Sequence, residues 1–307
     1  MQAETEIGLV LDLSGKIMRE EMNIQWFPGH MTKARRMMKE NIKLIDAVCE
    51  VIDARIPISS RNPDLDEMTM GKPRLVILNR IDQADPETTK KWAAVIRKGG
   101  AAVLETDSQS GKGVNGFSGA VSGLLSEKIA RYDSKGQIGR VIRVMVVGIP
   151  NVGKSSFINR VAKRKAANTS DRPGVTKGKQ WIKVDNGLEL LDTPGVLWPK
   201  FEDQTVAENL AFTGAIRDQI MDLETLGANF MLYLKDRYPQ RLIERYKIDI
   251  SEETTGFDLL ELAARRRGFL ISGGEVDINR MAVILLDEFR GGKLGKITLE
   301  FPDKPEV

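Results

Sequence analysis

The sequence predicts an α/β fold: a mostly parallel sheet with helices on both faces, followed by an all-helical carboxyl-terminal domain. Three observations predict it. Short apolar runs at 47–53 (AVCEVID), 74–79 (RLVILN) and 101–106 (AAVLET) alternate with helical stretches near 86–98 and 114–130, the pattern of parallel strands joined by crossover helices. A further β-branched run at 141–147 passes without a gap into a glycine-bounded loop and a helix start at 155–161. From about residue 204 the apolar spacing is helical, at 206–213, 223–238, 257–267 and 276–289, apart from one strand suggested at 296–301. The expected division is an extension at 1–21 that carries no motif and is poorly ordered, an α/β domain at 22–203, and a helical domain at 204–307 with a short tail.

Composition narrows the function classes. Hydrophobic residues make up 41% of the 307 and charged ones 29%, which is ordinary for a soluble globular chain. No apolar run approaches membrane-spanning length, and the amino terminus has acids at Glu4, Glu6 and Asp12 in place of a signal-peptide pattern. Cys49 is the single cysteine, so an internal disulfide and a cysteine-rich metal site are excluded and a reducing, cytoplasmic location is expected. A net charge of +3 is too small to argue nucleic-acid binding, so that case rests on where basic residues cluster. The first cluster is a helix from Thr32 with Ala34, Met37, Met38, Ile42 and Ile45 on its apolar face and Lys33, Arg35, Arg36, Lys39 and Lys43 over the rest. Beside Trp26-Phe27, that basic surface reads equally as a solvated face or an RNA contact.

The strand, loop and helix at 141–161 form a phosphate-binding loop. Gly148, Gly153, Lys154 and Ser155 fit G-x-x-x-x-G-K-S/T in the strand-to-helix context that the motif demands. Pro150, Asn151, Val152, Gly153, Lys154, Ser155 and Ser156 would bind nucleotide phosphates. Backbone N–H groups face the β-phosphate at the positive helix end, Lys154 reaches the β and γ oxygens, and the Ser155 hydroxyl ligates Mg²⁺. Residues 164–179 are rich in Gly, Pro, Thr and basic residues and read as a mobile loop, from which Thr176 can close onto Mg²⁺. Strands at 180–184 and 188–191, joined by Asp185-Asn186-Gly187, form a hairpin that ends in Asp192-Thr193-Pro194-Gly195. There Asp192 meets Mg²⁺ through water and the Gly195 N–H meets the γ-phosphate.

Base reading falls to Asn79, Arg80 and Asp82. An Asp82 carboxylate accepts from guanine N1–H and N2–H₂, whereas adenine leaves it unpaired, a penalty of about 2–3 kcal/mol, or roughly a hundredfold preference for the guanine nucleotide. Ser108 and Gln109, past the next strand, complete the base site, with the Ser108 backbone N–H on guanine O6. Each short motif is weak alone, but each sits at a strand end, where an open sheet binds its ligand. Their order is unusual. The base reader precedes the phosphate loop and sensor, so the fold expected is a circularly permuted P-loop GTPase domain, with residues 131–140 as the linker into the phosphate-loop strand.

The chain resembles the YlqF/YawG family of circularly permuted GTPases. The residues that carry the resemblance are 26–31 (WFPGHM), Asp53-Ala54-Arg55-Ile56-Pro57, residues 79–82, the phosphate loop, Pro173-Gly174-Val175-Thr176 and residues 192–195. Two positions depart from the family pattern: Arg80 stands for a base-reading Lys, and Ser108-Gln109 for Ser-Ala. The resemblance implies a GTPase acting in late assembly of the large ribosomal subunit, with GTP and GDP as substrate and product, Mg²⁺ as cofactor, and a helical domain that contacts ribosomal RNA. A monomer is expected. Val196 and Leu197 occupy the place where Ras-like enzymes hold the water-orienting Gln, so unassisted hydrolysis is expected to be slow. His30, the single histidine, reads either as a water-orienting group or as a helix-terminal residue bonded to backbone, and the resemblance implicates it in catalysis. Asn151 reads either as a K⁺ ligand, as in similar GTPases, or as a group that satisfies backbone. Two other readings stay open: a GTP-gated RNA-binding placeholder with little turnover, and an ATPase of the phosphate-loop class.

Overall fold

Along the chain run α1 (Gly29–Asn41), β1 (Ala47–Asp53), α2 (Leu65–Thr69), β2 (Arg74–Asn79), α3 (Pro86–Lys98), β3 (Ala102–Glu105), α4 (Phe117–Leu124), α5 (Ser126–Ser134), β4 (Ile142–Val147), α6 (Lys154–Ala166), β5 (Trp181–Val184), β6 (Leu188–Asp192) and α7 (Gln204–Phe212). Helices α8 (Leu223–Arg237), α9 (Pro239–Tyr246), α10 (Gly256–Arg267) and α11 (Ile278–Arg290) follow. The computed structural model describes residues 22, 24, 29–166, 181–184 and 187–302. Of these, 29–210, 214–216 and 296–302 belong to one compact unit, and 211–213 and 217–295 to another.

The first unit is built on six strands in the order β3-β2-β1-β4-β6-β5, all parallel except β5, which pairs antiparallel with β6. Every residue of β1 is buried, as a central strand covered on both faces requires. On one face Ile52, Val76 and Leu78 pack with Ala93 and Ile96 of α3. Right-handed crossovers that run outward in opposite directions from the β1–β4 pair put α3 and α6 on opposite faces. Phe117 of α4 meets Phe157 of α6 edge to face, with ring centroids 5.3 Å apart, so α4 shares the α6 side. Strand order reverses between β1 and β4, and the loops beyond the carboxyl ends of β4, β6, β2 and β3 carry the predicted motifs.

Several elements differ from the sequence expectation. The stretch 114–130 is not one helix: a 3₁₀ turn at Val114–Gly116 precedes α4, and α4 and α5 break at Leu125. α5 continues to Ser134, so only the second half of the expected linker is irregular. α2 and α9 carry no signal strong enough to be read; α9 begins at Pro239, where a first-turn proline costs no hydrogen bond. Residues 296–301 form no ladder, and they sit with the sheet, not with the helices before them.

In the second unit the tilted rings of Phe212, Phe230 and Phe289 meet in sequence, with centroids 4.8 Å apart at each step. Gly227 lets α8 and α11 approach, because a Cβ there would lie 2.7 Å from the Ala282 Cβ. Glu288 gathers Arg245, Tyr246 and Arg267 from α9 and α10. Among the described residues no helix is long and apolar enough to cross a membrane.

Candidate nucleotide site

A cavity of 590 Å³ opens at the carboxyl end of β4. Arg80, Ile149, Pro150, Asn151, Gly153, Lys154, Ser155, Ser156 and 192–195 line it, together with Met37 of α1. Phosphate loop and sensor therefore share one space. Val152 is buried behind it, and Asp82, Ser108 and Gln109 lie outside the cavity wall.

Loop shape follows from what glycine permits. Gly153 has φ +88°, and a Cβ there would fall 2.4 Å from Asn79 Nδ2. Gly195 lies directly against the phosphate loop, since its Cβ would fall 2.8 Å from the Pro150 nitrogen. Lys154 is 8% exposed and its Nζ is ion-paired with Asp192 Oδ1. Two cationic side chains, Lys154 and Arg80, and the Asp192 carboxylate thus line the cavity, with Ser155 and Ser156 beside them.

The Asn79 carboxamide is bonded to the protein at both its polar atoms. Its Nδ2 donates to the Val152 carbonyl at 2.9 Å, while its Oδ1 accepts from Thr106 Oγ1 at 3.0 Å, Ser108 Oγ at 2.7 Å and Ser108 N–H at 3.2 Å. The carboxamide ties the base loop, the phosphate loop and the Ser108 loop together. The Ser108 N–H, expected on guanine O6, is here bonded to Asn79, whose buried carboxamide must satisfy its acceptor locally. The Gln109 N–H is likewise bonded, to Asp107 Oδ1 at 2.8 Å.

Arg80 enters the site in the left-handed region, φ +63°. Its Nη2 donates to the Asn151 carbonyl at 2.9 Å, and its buried Nε has no hydrogen-bond partner, the nearest carboxylate oxygen being Asp53 Oδ2 at 3.6 Å. Asp53 itself is gripped by Arg55 through Nε at 3.0 Å and Nη2 at 2.7 Å, with both side chains buried. Burial opposes the Asp53 charge, but Arg55 and then Arg80 outweigh it and hold the carboxyl below its usual range. No role for this Asp53-Arg55-Arg80 cluster is readable from the sequence, although Asp53 to Pro57 stands among the family motifs. Burial, then repulsion from Asp107, raises the Asp82 carboxyl above its ordinary value.

The water-side residues divide. Val196 and Leu197 are buried, and Asn62 Nδ2 donates to the Val196 carbonyl at 3.0 Å, so that position turns inward. His30 lies in the first turn of α1, but its side chain is outside the described residues, as are Trp26, Phe27 and Thr176. The Asn151 Nδ2 donates to the Gly214 carbonyl, the backbone-satisfying one of its two readings. On the basic face of α1, Arg35 pairs with Asp64 at 2.8 Å and Arg36 with Glu40 at 2.9 Å, while Lys33 and Lys43 are exposed.

A mostly parallel sheet that presents a phosphate loop, a D-x-x-G sensor and an N-x-x-D loop at one edge, with the last of these first in the chain, defines a circularly permuted P-loop GTPase. A family described as 50S ribosome-binding GTPase matches residues 143–252. Ribosome biogenesis GTPase A of Priestia megaterium is 49% identical over 287 residues, which cover 93% of this chain and 99% of that protein. The Bacillus cereus protein of the same name is 48% identical over 284 residues, 92% and 95% of the two chains. Among solved structures, GNP-bound YlqF from T. maritima has a TM-score of 0.62 at 30% identity and covers 89% of this chain and 100% of that one. The chain belongs to the ribosome biogenesis GTPase A family, and it is an enzyme that binds guanine nucleotide and hydrolyses GTP.

Proposed function

We propose that this GTPase acts in late maturation of the large (50S) ribosomal subunit and binds ribosomal RNA in a nucleotide-dependent way, as a cytoplasmic monomer. The observation that carries the reading is the packing of Gly195 against Pro150: sensor and phosphate loop share one cavity, so a γ-phosphate placed there acts on the chain leading into α7. The names of the Bacillus and Priestia relatives and the 50S description of the matching family support the partner. Lys154 would leave Asp192 for the β and γ oxygens, and Asp82 would read guanine from the loop that Asn79 braces. Ser155 and Asp192 are hard oxygen donors on the cavity wall and suit Mg²⁺, with Thr176 as the further ligand that the sequence offers. Mg²⁺ bound there would neutralise phosphate charge during transfer. A K⁺ at Asn151 would be held by atoms other than the Nδ2 bound to Gly214, and comparison of turnover in K⁺ and Na⁺ tests it.

RNA contact draws on fewer residues than the count of basic side chains suggests. Arg245 and Arg267 are committed to Glu288, Arg265 to Glu261 at 2.6 Å, and Lys235 Nζ to the Thr254 carbonyl at 2.8 Å. Arg266, Lys293 and Lys296 are exposed and remain the better candidates. Single-turnover hydrolysis with and without immature large subunits tests the function, and stimulation is expected. The inward turn of Val196 and Leu197 favours a second reading, a GTP-gated RNA-binding placeholder with little turnover. Absence of stimulation by every subunit preparation would select it.

A further inference from the structure

Residues 296–300 carry no nucleotide motif, yet their polar groups engage the loops that follow β1 and β2. Ile297 N–H donates to the Gln83 carbonyl at 2.9 Å, and the Thr298 hydroxyl accepts from Asp85 N–H at 2.9 Å. Leu299 N–H donates to the Arg55 carbonyl at 2.8 Å, and the Glu300 carbonyl accepts from Trp92 Nε1 of α3 at 2.9 Å. The Glu300 carboxylate accepts from the backbone of Ile58 and Ser59 and from the Ser59 hydroxyl. Ile297 and Thr298 are 0% exposed. The tail is a buried strap, and it crosses the base-reading loop.

Its grip falls on the first and third residues after Asp82. That loop needs holding. It enters through Arg80 at φ +63°, a conformation that costs a non-glycine residue about 1 kcal/mol, with a buried Nε that no acceptor satisfies. It leaves through Asp85, which also caps α3 by accepting from Thr88 N–H at 2.8 Å. Bidentate reading of a base edge tolerates displacement of only about 0.5 Å. We propose that the strap at 296–300 is a positioning element for guanine recognition, with Thr298 fixing Asp85 and thereby the Asp82 carboxylate; the proposal rests on the reading of Asp82 as the base reader.

Comparison of GDP with IDP, which lacks the exocyclic amine, isolates the second Asp82 contact. The wild-type chain should prefer GDP by about tenfold or more, the equivalent of one charge-assisted hydrogen bond. In Thr298→Val, which keeps the shape and removes the acceptor, the GDP/IDP ratio of Kd values should collapse at least about threefold through weaker GDP binding. Affinity for inorganic pyrophosphate should hold, and Thr298→Ser should restore the ratio. Should Thr298→Val not fold, Glu300→Gln loosens the other end of the strap and carries the same expectation. An unchanged GDP/IDP ratio, whatever happens to Tm, overturns the positioning role and leaves the strap as ordinary packing. A wild-type protein with no preference for GDP over IDP overturns the Asp82 reading itself, and the strap proposal falls with it.

Discussion

Lys154 and Asp192 set the chemistry of the site one residue at a time. A buried ammonium held by one carboxylate is available to phosphate oxygens at little desolvation cost, because it is already stripped of water. Lys154→Ala should abolish nucleotide binding or turnover, and near-normal GTP hydrolysis in that variant would place the site elsewhere. At Asp82 the sign of the pH effect is determined by the ionised form, which alone accepts both guanine donors. Burial and Asp107 raise this carboxyl, so GDP affinity should be full at neutral pH and fall as pH drops through a value above the ordinary 3.8 of Asp. Asp107→Asn removes the repulsion and should move that loss to lower pH in a titration of the GDP Kd. Asp82→Asn sets an amide donor against a guanine donor and should weaken GDP roughly ten- to hundredfold while favouring the xanthine nucleotide, read by competition binding.

Between elements, contact distance decides what a substitution does. Gly195→Ala would drive a Cβ into the Pro150 backbone, so β6 and its loop must withdraw from the phosphate loop. The γ-phosphate response should suffer most: single-turnover hydrolysis should drop at least about tenfold while GDP affinity stays within a few fold, since GDP lacks the group that the sensor reads. In the helical unit, Glu288 joins α11 to α9 and α10. Burial alone would raise its carboxyl, but hydrogen bonds from Arg245, Tyr246 and Arg267 outweigh that and hold it at about 2. Its folded value lies below the unfolded one, so the stabilisation is present above about pH 4.5 and is lost as pH falls toward 2. Glu288→Gln leaves two guanidiniums short of their counter-charge and should cost about 2–4 kcal/mol at neutral pH, measurable by urea unfolding.

At the scale of the whole chain, connectivity matters more than any one contact. The chain leaves the sheet unit briefly at 211–213 and again at 217, and returns at Lys296, so the bulk of the helical unit is an insertion bounded in sequence by the sensor side and by the strap. Nucleotide state should therefore change affinity for the large subunit, with a non-hydrolysable GTP analogue binding more tightly than GDP in co-sedimentation. Replacing 217–295 by a short flexible linker should erase that difference yet keep GDP binding. Ending the chain at 204 should do more damage, because it also removes the residues that hold the Asp82 loop.

By itself the sequence determined the strands, the phosphate loop, the sensor, the base loop and their permuted order. Each is a local pattern, written in apolar periodicity or in residues a few positions apart, and β1 and β2 lie where that periodicity puts them. Only the tertiary structure decided what Asn79, Arg80 and Thr298 do. Asn79 meets Val152 across 73 positions and Thr298 meets Asp85 across 213, and such pairings depend on the register of a whole sheet, which no local window encodes. The same holds for charge. Arg245 and Arg267 count toward the basic charge of the chain, but folding brings Glu288 to both, and a buried carboxylate must be paired.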